Sequence, residues 1–413
     1  MERYPSYKPS GVKWLGEIPS HWEVKHLRNF LTLFSEKGYG NSQLLSVTRE
    51  KGVILRDKEN KEENHNFVPD DLSGYKHLEA GDFVINKMKS WQGSYGVSDY
   101  EGIVSPAYFT CKLHGVNPQF FSRAIRSKAY VGFFMQYSKG IRVDQWDLDP
   151  SSMKDIPFVL PSPEEQSAIA AYLDTATAKI DAAIAQQQKM IDLLNERKQI
   201  IINRAVTKGL NPNAKMKDSG VEWIGEVPEG WQLLPYRYLF YNLDKLRMPI
   251  TADQRSRNNP QYDYYGASGI IDKIDYYNVD DKVLLIGEDG ANLLLRNLPL
   301  IYKAEGKFWV NNHAHILKPI RDDYEFLAYV MEAADYTLYI TGSAQPKLSQ
   351  SNLNCVKLPI PPISEQKQIV DYLSKRTCKI DEAINESNKM ISLLQERKQI
   401  IINEVVTGKV RVV

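Results

Sequence analysis

The sequence predicts an α+β chain: two mixed bodies separated by a long antiparallel two-helix coiled coil, the whole a pseudo-twofold tandem repeat. Three observations predict it. A Trp-rich opening segment occurs twice, as Lys8–Trp22 and Lys217–Trp231, and both copies keep SGVxWxGExPxxW at an offset of 209. A closing segment also occurs twice, as residues 165–207 and 365–407, sharing EQ, KID, KMI, LL and the unbroken octapeptide ERKQIIIN at an offset of 200. Both closing segments carry an apolar heptad pattern.

The chain divides into a first body (1–160), a central helix (161–210), a second body (211–360) and a C-terminal helix (361–413). The opening segments belong to the duplicated frame, so Trp14, Trp22, Trp223 and Trp231 read as structural rather than as base-stacking residues. Each body then mixes short β-rich runs with helix. Asp82–Asn86, Gly102–Ser105, Lys282–Ile286 and Phe308–Val310 read as strands punctuated by Gly, Pro and Asn. Residues 118–137 and 323–338 read as helical. Ile156–Pro161 and Leu358–Pro362 read as extended connectors. The two bodies do not align with each other, so one frame presents two different contents.

Ser162, Pro163 and Glu165 form a capping-box start for the central helix, and Ser364–Glu365 opens the last helix similarly. Gly209 and Gly408 stop them. Ile169, Leu173, Ala176, Ile180, Ala183, Met190, Leu194 and Ile201 are assigned to one seam, and Ile369, Leu373, Ile380, Ala383, Met390, Leu394 and Ile401 to the other. Helices of about 43 residues would run ~65 Å. Either direction closes the seam. The antiparallel one is expected because it sets the bodies at opposite ends, where helix length would fix their spacing.

Composition bounds the function. The 413 residues are 43% apolar and 25% charged, ordinary for a globular protein. No apolar run approaches the ~20 residues of a membrane span. Met1–Pro5 lacks the apolar core of a signal peptide. No membrane partner and a cytoplasmic location are therefore expected. Cys111, Cys355 and Cys378 are too widely spaced for a disulfide framework or a four-thiolate zinc site. A net charge of +1 argues against bulk polyanion binding and leaves room for a local basic patch.

The doubled opening motif, the LPxPxxxEQ-type helix start and the doubled ERKQIIIN closely resemble the DNA-specificity subunit of type I restriction-modification systems. The resemblance spans essentially the whole chain. Gly81–Gly93 and Gly102–Tyr108 look like one type of target-recognition domain; Tyr265–Asp272, Gly287–Ala291, Asn311–His315 and Thr341–Leu348 look like another. The resemblance implies a non-catalytic subunit that binds double-stranded DNA with two unlike half-sites. It also implies two adenine methyltransferase subunits and two restriction subunits as partners. S-adenosylmethionine, Mg and ATP would sit on those partners, and no cofactor or metal on this chain. The rival reading is a coiled-coil scaffold whose bodies bind protein or carbohydrate. A stand-alone nuclease or methylase is the third.

The residues themselves point the same way. There is no phosphate loop and no GxGxxG. Asn259-Pro-Gln-Tyr262 only faintly matches the Asn-Pro-Pro-Tyr site of amino-methyltransferases, and a plain turn explains it. His313 and His315 near Glu288–Asp289 could make three metal ligands, but a hydrogen-bonded, partly buried pair is the simpler reading. DNA contact needs Lys or Arg for phosphates, and Arg, Asn, Gln or Ser for base edges. In the first body, Arg49, Lys51, Lys87, Lys89, Trp91, Gln92, Arg142 and Gln145 fit. In the second, Lys245, Arg247, Arg255, Arg257, Asn258, Asn259, Tyr262, Tyr264, Ser343, Gln345 and Lys347 fit. Glu196, Arg197, Lys198 and Gln199, with Glu396, Arg397, Lys398 and Gln399, are polar residues that apolar packing does not require to be duplicated. They are expected either to touch two copies of one partner or to form ion pairs between the helices.

Overall fold

The computed structural model describes residues 2–13, 15–56, 68–140, 146–251, 255, 260–342 and 345–412. It divides into two units. One holds residues 1–188 and 388–413, the other residues 189–387.

The first unit opens with a hairpin, Tyr7–Pro9 against Glu17–Pro19, built by the first half of the repeated motif. Trp22 follows, fully buried, and Glu23–His26 then pairs with Pro157–Leu160. The proline-rich exit is thus a strand, not a bare connector. The body contains a four-stranded antiparallel sheet in the order Leu31–Phe34, Phe109–Leu113, Phe83–Ile85, Tyr95–Val97. Helices α1 (Pro118–Ile125) and α2 (Lys128–Tyr137) cover it, followed by the short α3 (Pro150–Lys154). The predicted helix over 118–137 is two helices, because the chain turns at Arg126–Ser127 and Ser127 restarts it in extended backbone. Phe83, Tyr95, Phe121, Phe134 and Phe158 fill the core between them. Glu2 and Arg411 meet in a bridge within this unit.

Helix α4 (Pro163–Lys208) begins with the predicted capping box: Glu165 N–H donates to Ser162 Oγ, and Ser162 N–H to Glu165 Oε2.

The second unit repeats the frame: hairpin Met216–Asp218 with Glu226–Pro228, buried Trp231, and Gln232–Pro235 paired with Lys357–Ile360. Its body differs. A six-stranded sheet runs Phe240–Asn242, Ala314–Pro319, Val279–Gly287, Ile301–Val310, Tyr262–Gly266, Gly269–Ile274. One pair in it is parallel, Tyr262–Gly266 with Ile301–Val310. Helices α5 (Gly290–Leu295), α6 (Tyr324–Ala333) and α7 (Gln350–Leu353) precede α8 (Ile363–Val406). Because α8 starts at Ile363, Ser364 lies inside its first turn, and Pro362 supplies the carbonyl that caps Glu365 and Gln366.

Each unit contains part of both long helices, and within each they run antiparallel. In the first unit, Trp22 touches both Glu165 and the site of Gly408, and further along Lys398 pairs with Asp181 at 2.6 Å. In the second, Trp231 touches Glu365 and the site of Gly209, and Lys198 pairs with Asp381 at 2.7 Å. The predicted seam is buried at Ile169, Leu173, Ile180, Ile369, Leu373 and Ile380 and departs from expectation at particular positions. Thr177, Ile191, Thr377 and Ser387 are buried, whereas Met190 and Met390 are about half exposed. Where apolar residues stand side by side, as in Met190–Ile191, a heptad count selects either, and the neighbouring helix decides.

Candidate nucleic-acid interface

The duplicated frame explains its own conserved polar letters before any ligand is considered. Glu165 and Glu365 accept the indole N–H of Trp22 (3.4 Å) and Trp231 (3.1 Å). The adjacent Gln166 and Gln366 donate to Pro161 and Pro361 carbonyls, both at 2.9 Å. Their Oε1 atoms accept the N–H of Asn117 and Asp323, the N-cap residues of α1 and α6, both at 2.8 Å. Each body is therefore fastened to its long helix by one Glu–Gln pair. Trp22 and Trp231 are core and Trp223 is half-buried; Trp14 lies outside the described residues.

In the second unit, four stretches far apart in sequence converge. Gly287 passes so close to Ala267 that a Cβ would sit 2.6 Å from its carbonyl, and Gly290 packs on Pro346 in the same way. Asp244 accepts His315 Nδ1 at 2.6 Å and the Ile316 N–H at 2.9 Å. His315 Nε2 lies 2.8 Å from the Leu348 carbonyl, so both ring nitrogens are committed and neither is free for a metal. Arg247 reaches Glu288 (2.8 Å) and Asp244 (3.5 Å), and Lys347 reaches Glu288 at 3.4 Å. His313 stands 3.3 Å from Asp289.

Burial alone would raise the Asp244 carboxyl, but the His315 hydrogen bond and charge, the Ile316 N–H and Arg247 bring it below its ordinary value. Glu288 is likewise raised by burial and lowered overall by Arg247, His315 and Lys347. The network holds four loops in one arrangement and leaves Lys245, Asn312 and Gln345 exposed on it, with His313 and Lys347 half-exposed. Arg247 works inside the network rather than at its surface.

The hairpin next to it takes Tyr264 into a small core with Ile274 and Trp309. Tyr264, 1% exposed, is therefore packing and not a surface reader. Arg255 lies over its ring at 4.5 Å and 3.4 Å from Asp272. Tyr262 meets Tyr277 edge-on at 5.3 Å. Arg257, Asn258, Asn259 and Ser343 lie outside the described residues.

In the first unit, Lys87 pairs with Asp147 at 2.8 Å and Trp91 packs edge-on against Trp146 at 5.6 Å. Lys89 is exposed and Gln92 half-buried. Arg49 and Lys51 are exposed on a tight turn. Arg126 holds that turn, donating to the carbonyls of Arg49 (3.1 Å), Glu50 (2.7 Å) and Tyr95 (2.7 Å). Gly52 closes it at φ +74, with Arg126 where a side chain would stand. Arg142 and Gln145 lie outside the described residues.

The duplicated octapeptide has two faces. Lys198 and Lys398 bind Asp381 and Asp181, the ion-pair alternative. On another face, Met190, Leu193 and Ile200 are exposed, and so are Met390, Leu393 and Ile400, with the exposed Arg197 and Arg397 between them. Glu196, Glu396 and Gln199 are exposed and Gln399 is half-buried. Lys198, Gln199 and Ile202 line a cavity of about 1330 Å³ in the second unit; Lys398, Gln399 and Ile402 line one of about 1200 Å³ in the first. Among the described residues, no helix is long and apolar enough to cross a membrane.

Residues 231–391 match the model of the type I restriction modification DNA specificity domain. A putative type I restriction enzyme specificity subunit, MjaX, of Methanocaldococcus jannaschii is 26% identical, covering 96% of each chain. The type I restriction enzyme StySPI specificity subunit of Salmonella potsdam is 20% identical over 95% of this chain and 90% of its own. A solved chain described under complex assembly and conformational transition of the type I R-M system shares the fold, with a TM-score of 0.66 and 13% identity. That likeness covers 95% of this chain and 99% of the other.

Proposed function

We propose that the chain, a member of the type I restriction-modification specificity-subunit family, is the sequence-reading subunit of its complex and binds a bipartite DNA target with two unlike half-sites. One observation carries this reading. The same frame occurs twice, down to the Trp–Glu and Gln–N-cap bonds, yet it holds a four-stranded body once and a six-stranded body once. A conserved mount with unlike contents suits two different recognition surfaces. The loops tied by Asp244, Arg247 and Glu288, and the turn tied by Arg126, give each body a set of preorganised polar and basic side chains. Such side chains are what phosphate and base-edge contacts require.

In this reading the chain carries no catalytic site and no cofactor. S-adenosylmethionine, Mg and ATP belong to the methyltransferase and restriction subunits, and the work is cytoplasmic. Two methyltransferase copies are favoured by the doubling of the exposed stripe, Met190–Leu193–Arg197–Ile200 and its counterpart. The doubled cavity linings favour them too. Two restriction subunits follow by the same stoichiometry.

The test is selection of bound duplexes from a random pool by the chain with its methyltransferase partner, followed by sequencing. A split consensus is expected, and exchange of residues 25–160 for another body should change one half only. A continuous consensus, or a change in both halves, would sink the proposal.

A further inference from the structure

We infer that His315 is a positioning residue of the second body, which must carry a hydrogen on both ring nitrogens to hold two loops in one arrangement. This rests on the DNA-reading role proposed above and adds the protonation state on which it depends. His315 lies opposite Ile286 in the sheet and is 1% exposed. Its Nδ1 is 2.6 Å from Asp244 Oδ2 and its Nε2 is 2.8 Å from the Leu348 carbonyl oxygen. A carbonyl oxygen only accepts, and so does an ionised carboxylate. Both bonds therefore exist together only in the doubly protonated ring. The second Asp244 oxygen takes the Ile316 N–H at 2.9 Å, so the carboxylate is fixed from two sides. The Leu348 N–H donates to the Glu288 carbonyl, also at 2.9 Å. One ring thus joins the turn carrying Lys245 and Arg247 to the strand that contains Lys347 and follows Gln345.

Among the described residues, the segments around the ring bring these charges. Asp244 and Arg247 belong to the turn, Glu288 follows the strand Val279–Gly287, and Lys347 flanks Leu348. Arg247 and Lys347 answer Glu288 at 2.8 and 3.4 Å, and His313 is taken by Asp289. Asp244, with Arg247 3.5 Å away, remains as the counter-charge of the ring. The proton stands on His315 rather than on Asp244. Burial alone would raise that carboxyl, but the ring, the Ile316 N–H and Arg247 hold it below its ordinary pKa. The charge-assisted Nδ1 bond is the stronger of the two, so a ring that loses one proton keeps it. The Nε2 lone pair then faces the Leu348 oxygen, and the Lys347–Leu348 strand loses its hold. Asp244→Asn separates charge from shape. The Ile316 N–H claims the amide oxygen, which turns the NH2 group toward Nδ1. A neutral ring accepts from that NH2 and still donates from Nε2 to Leu348.

The experiment raises pH from about 6 to about 9, across the ordinary imidazole range, for the chain assembled with its methyltransferase partner. Bound duplexes are selected from a random pool at each pH. Hydrogen exchange over 345–349 is read alongside, corrected for its intrinsic pH dependence. In the wild type, protection there should fall by about tenfold at the higher pH, the worth of one net hydrogen bond. The second half-site should lose discrimination while the first keeps it. Asp244→Asn should give the same protection and consensus at both pH values. A wild type unchanged at the higher pH overturns the inference, and so does an equal loss in Asp244→Asn or in both half-sites. If that variant does not fold, the imidazole nitrogen resonances of the isotope-labelled wild-type chain decide, with His315 assigned by its absence from His315→Gln. Two ring protons at the lower pH support the inference and one overturns it. If the wild-type assembly selects no duplex at all, the DNA reading fails instead, and exchange and resonances still test the ring.

Discussion

Replacing Gln366 by Leu should destabilise the second unit more than the matched Gln166→Leu destabilises the first. Both glutamines are buried and similar in volume to leucine, so the change is chiefly one of hydrogen bonding. Gln166→Leu strands two backbone groups, the Asn117 N–H and the Pro161 carbonyl. A buried polar group left unpaired costs about 1–3 kcal/mol, and partial rehydration favours the low end, so ~2–4 kcal/mol is expected. Gln366→Leu strands the corresponding Asp323 N–H and Pro361 carbonyl, and also removes a 2.8 Å bond to Asp322. The Asp322 side chain is only 9% exposed and then keeps Arg321, at 3.7 Å, as its nearby cation. A hydrogen bond to a charged group adds ~1.5–3 kcal/mol, for a total of ~3.5–7 kcal/mol. Hydrogen exchange read by mass spectrometry over 117–125 and 323–333 resolves the two units separately, which a single melting curve of a two-unit chain does not. Equal loss of protection in the two variants would refute the weight given to the Asp322 bond, and no loss in either would refute the argument that these glutamines fasten the bodies.

Acidification should loosen the loops of the second unit first. Asp244 and Glu288 have folded-state pKa values lowered from 3.8 and 4.5, so their stabilisation is present above those values. It is lost as pH falls through the lower folded ones. Exchange rates over 311–316 and 345–349 between pH 6 and 3 would show it, and Asp244→Asn should remove most of the response. Gly408→Ala should destabilise the first unit beyond the ~1–2 kcal/mol of a left-handed alanine. Its φ is +73 and a Cβ there overlaps Pro19. Gly306→Ala, at φ +81 in open space in the second unit, should show the backbone cost alone; equal losses of hydrogen-exchange protection in the two units would refute the overlap argument. Lys198→Met and Lys398→Met should each cost only ~0.2–1 kcal/mol, because both pairs are partly solvated, and the cost should shrink in high salt. A larger, salt-insensitive loss in denaturant unfolding would contradict that.

The frame was legible because it is local and written twice. The hairpin motif, the capping box at Ser162–Glu165 and the stop glycines each depend on residues a few positions apart. The strands at Phe83–Ile85 and within Val279–Gly287 announced themselves by apolar β-branched runs. Less was legible in the helix seam, where Met190–Ile191 and Leu193–Leu194 offer two phases and Thr177, a polar residue, is the one buried. The partner choice of Lys198 and Lys398 was open for the same reason, since their aspartates lie 183 and 217 residues away. The candidate reading surfaces were the least legible. Motifs named separately at 287–291, 311–315 and 341–348 turned out to be one network, and its organiser, Asp244, carried no signal beyond being an aspartate in a loop. Arg126 matters through backbone carbonyls of residues far from it in the chain, which sequence spacing does not display.

The second unit is one uninterrupted stretch, residues 189–387, whereas the first recruits residues 388–413 to complete its helix pair and its Glu2–Arg411 bridge. On the ribosome, order of synthesis and order of completion are therefore reversed. The body translated first has Leu15, Ile18 and Trp22 uncovered on the side that Ile402, Val405 and Val406 will later close. At about 5–20 residues per second, the roughly 200 residues in between take on the order of 10–40 s. During that interval the nascent first unit has an open apolar seam, and the second folds on its own. Premature release of the chain would thus leave the earlier-made unit unfinished and the later-made one intact.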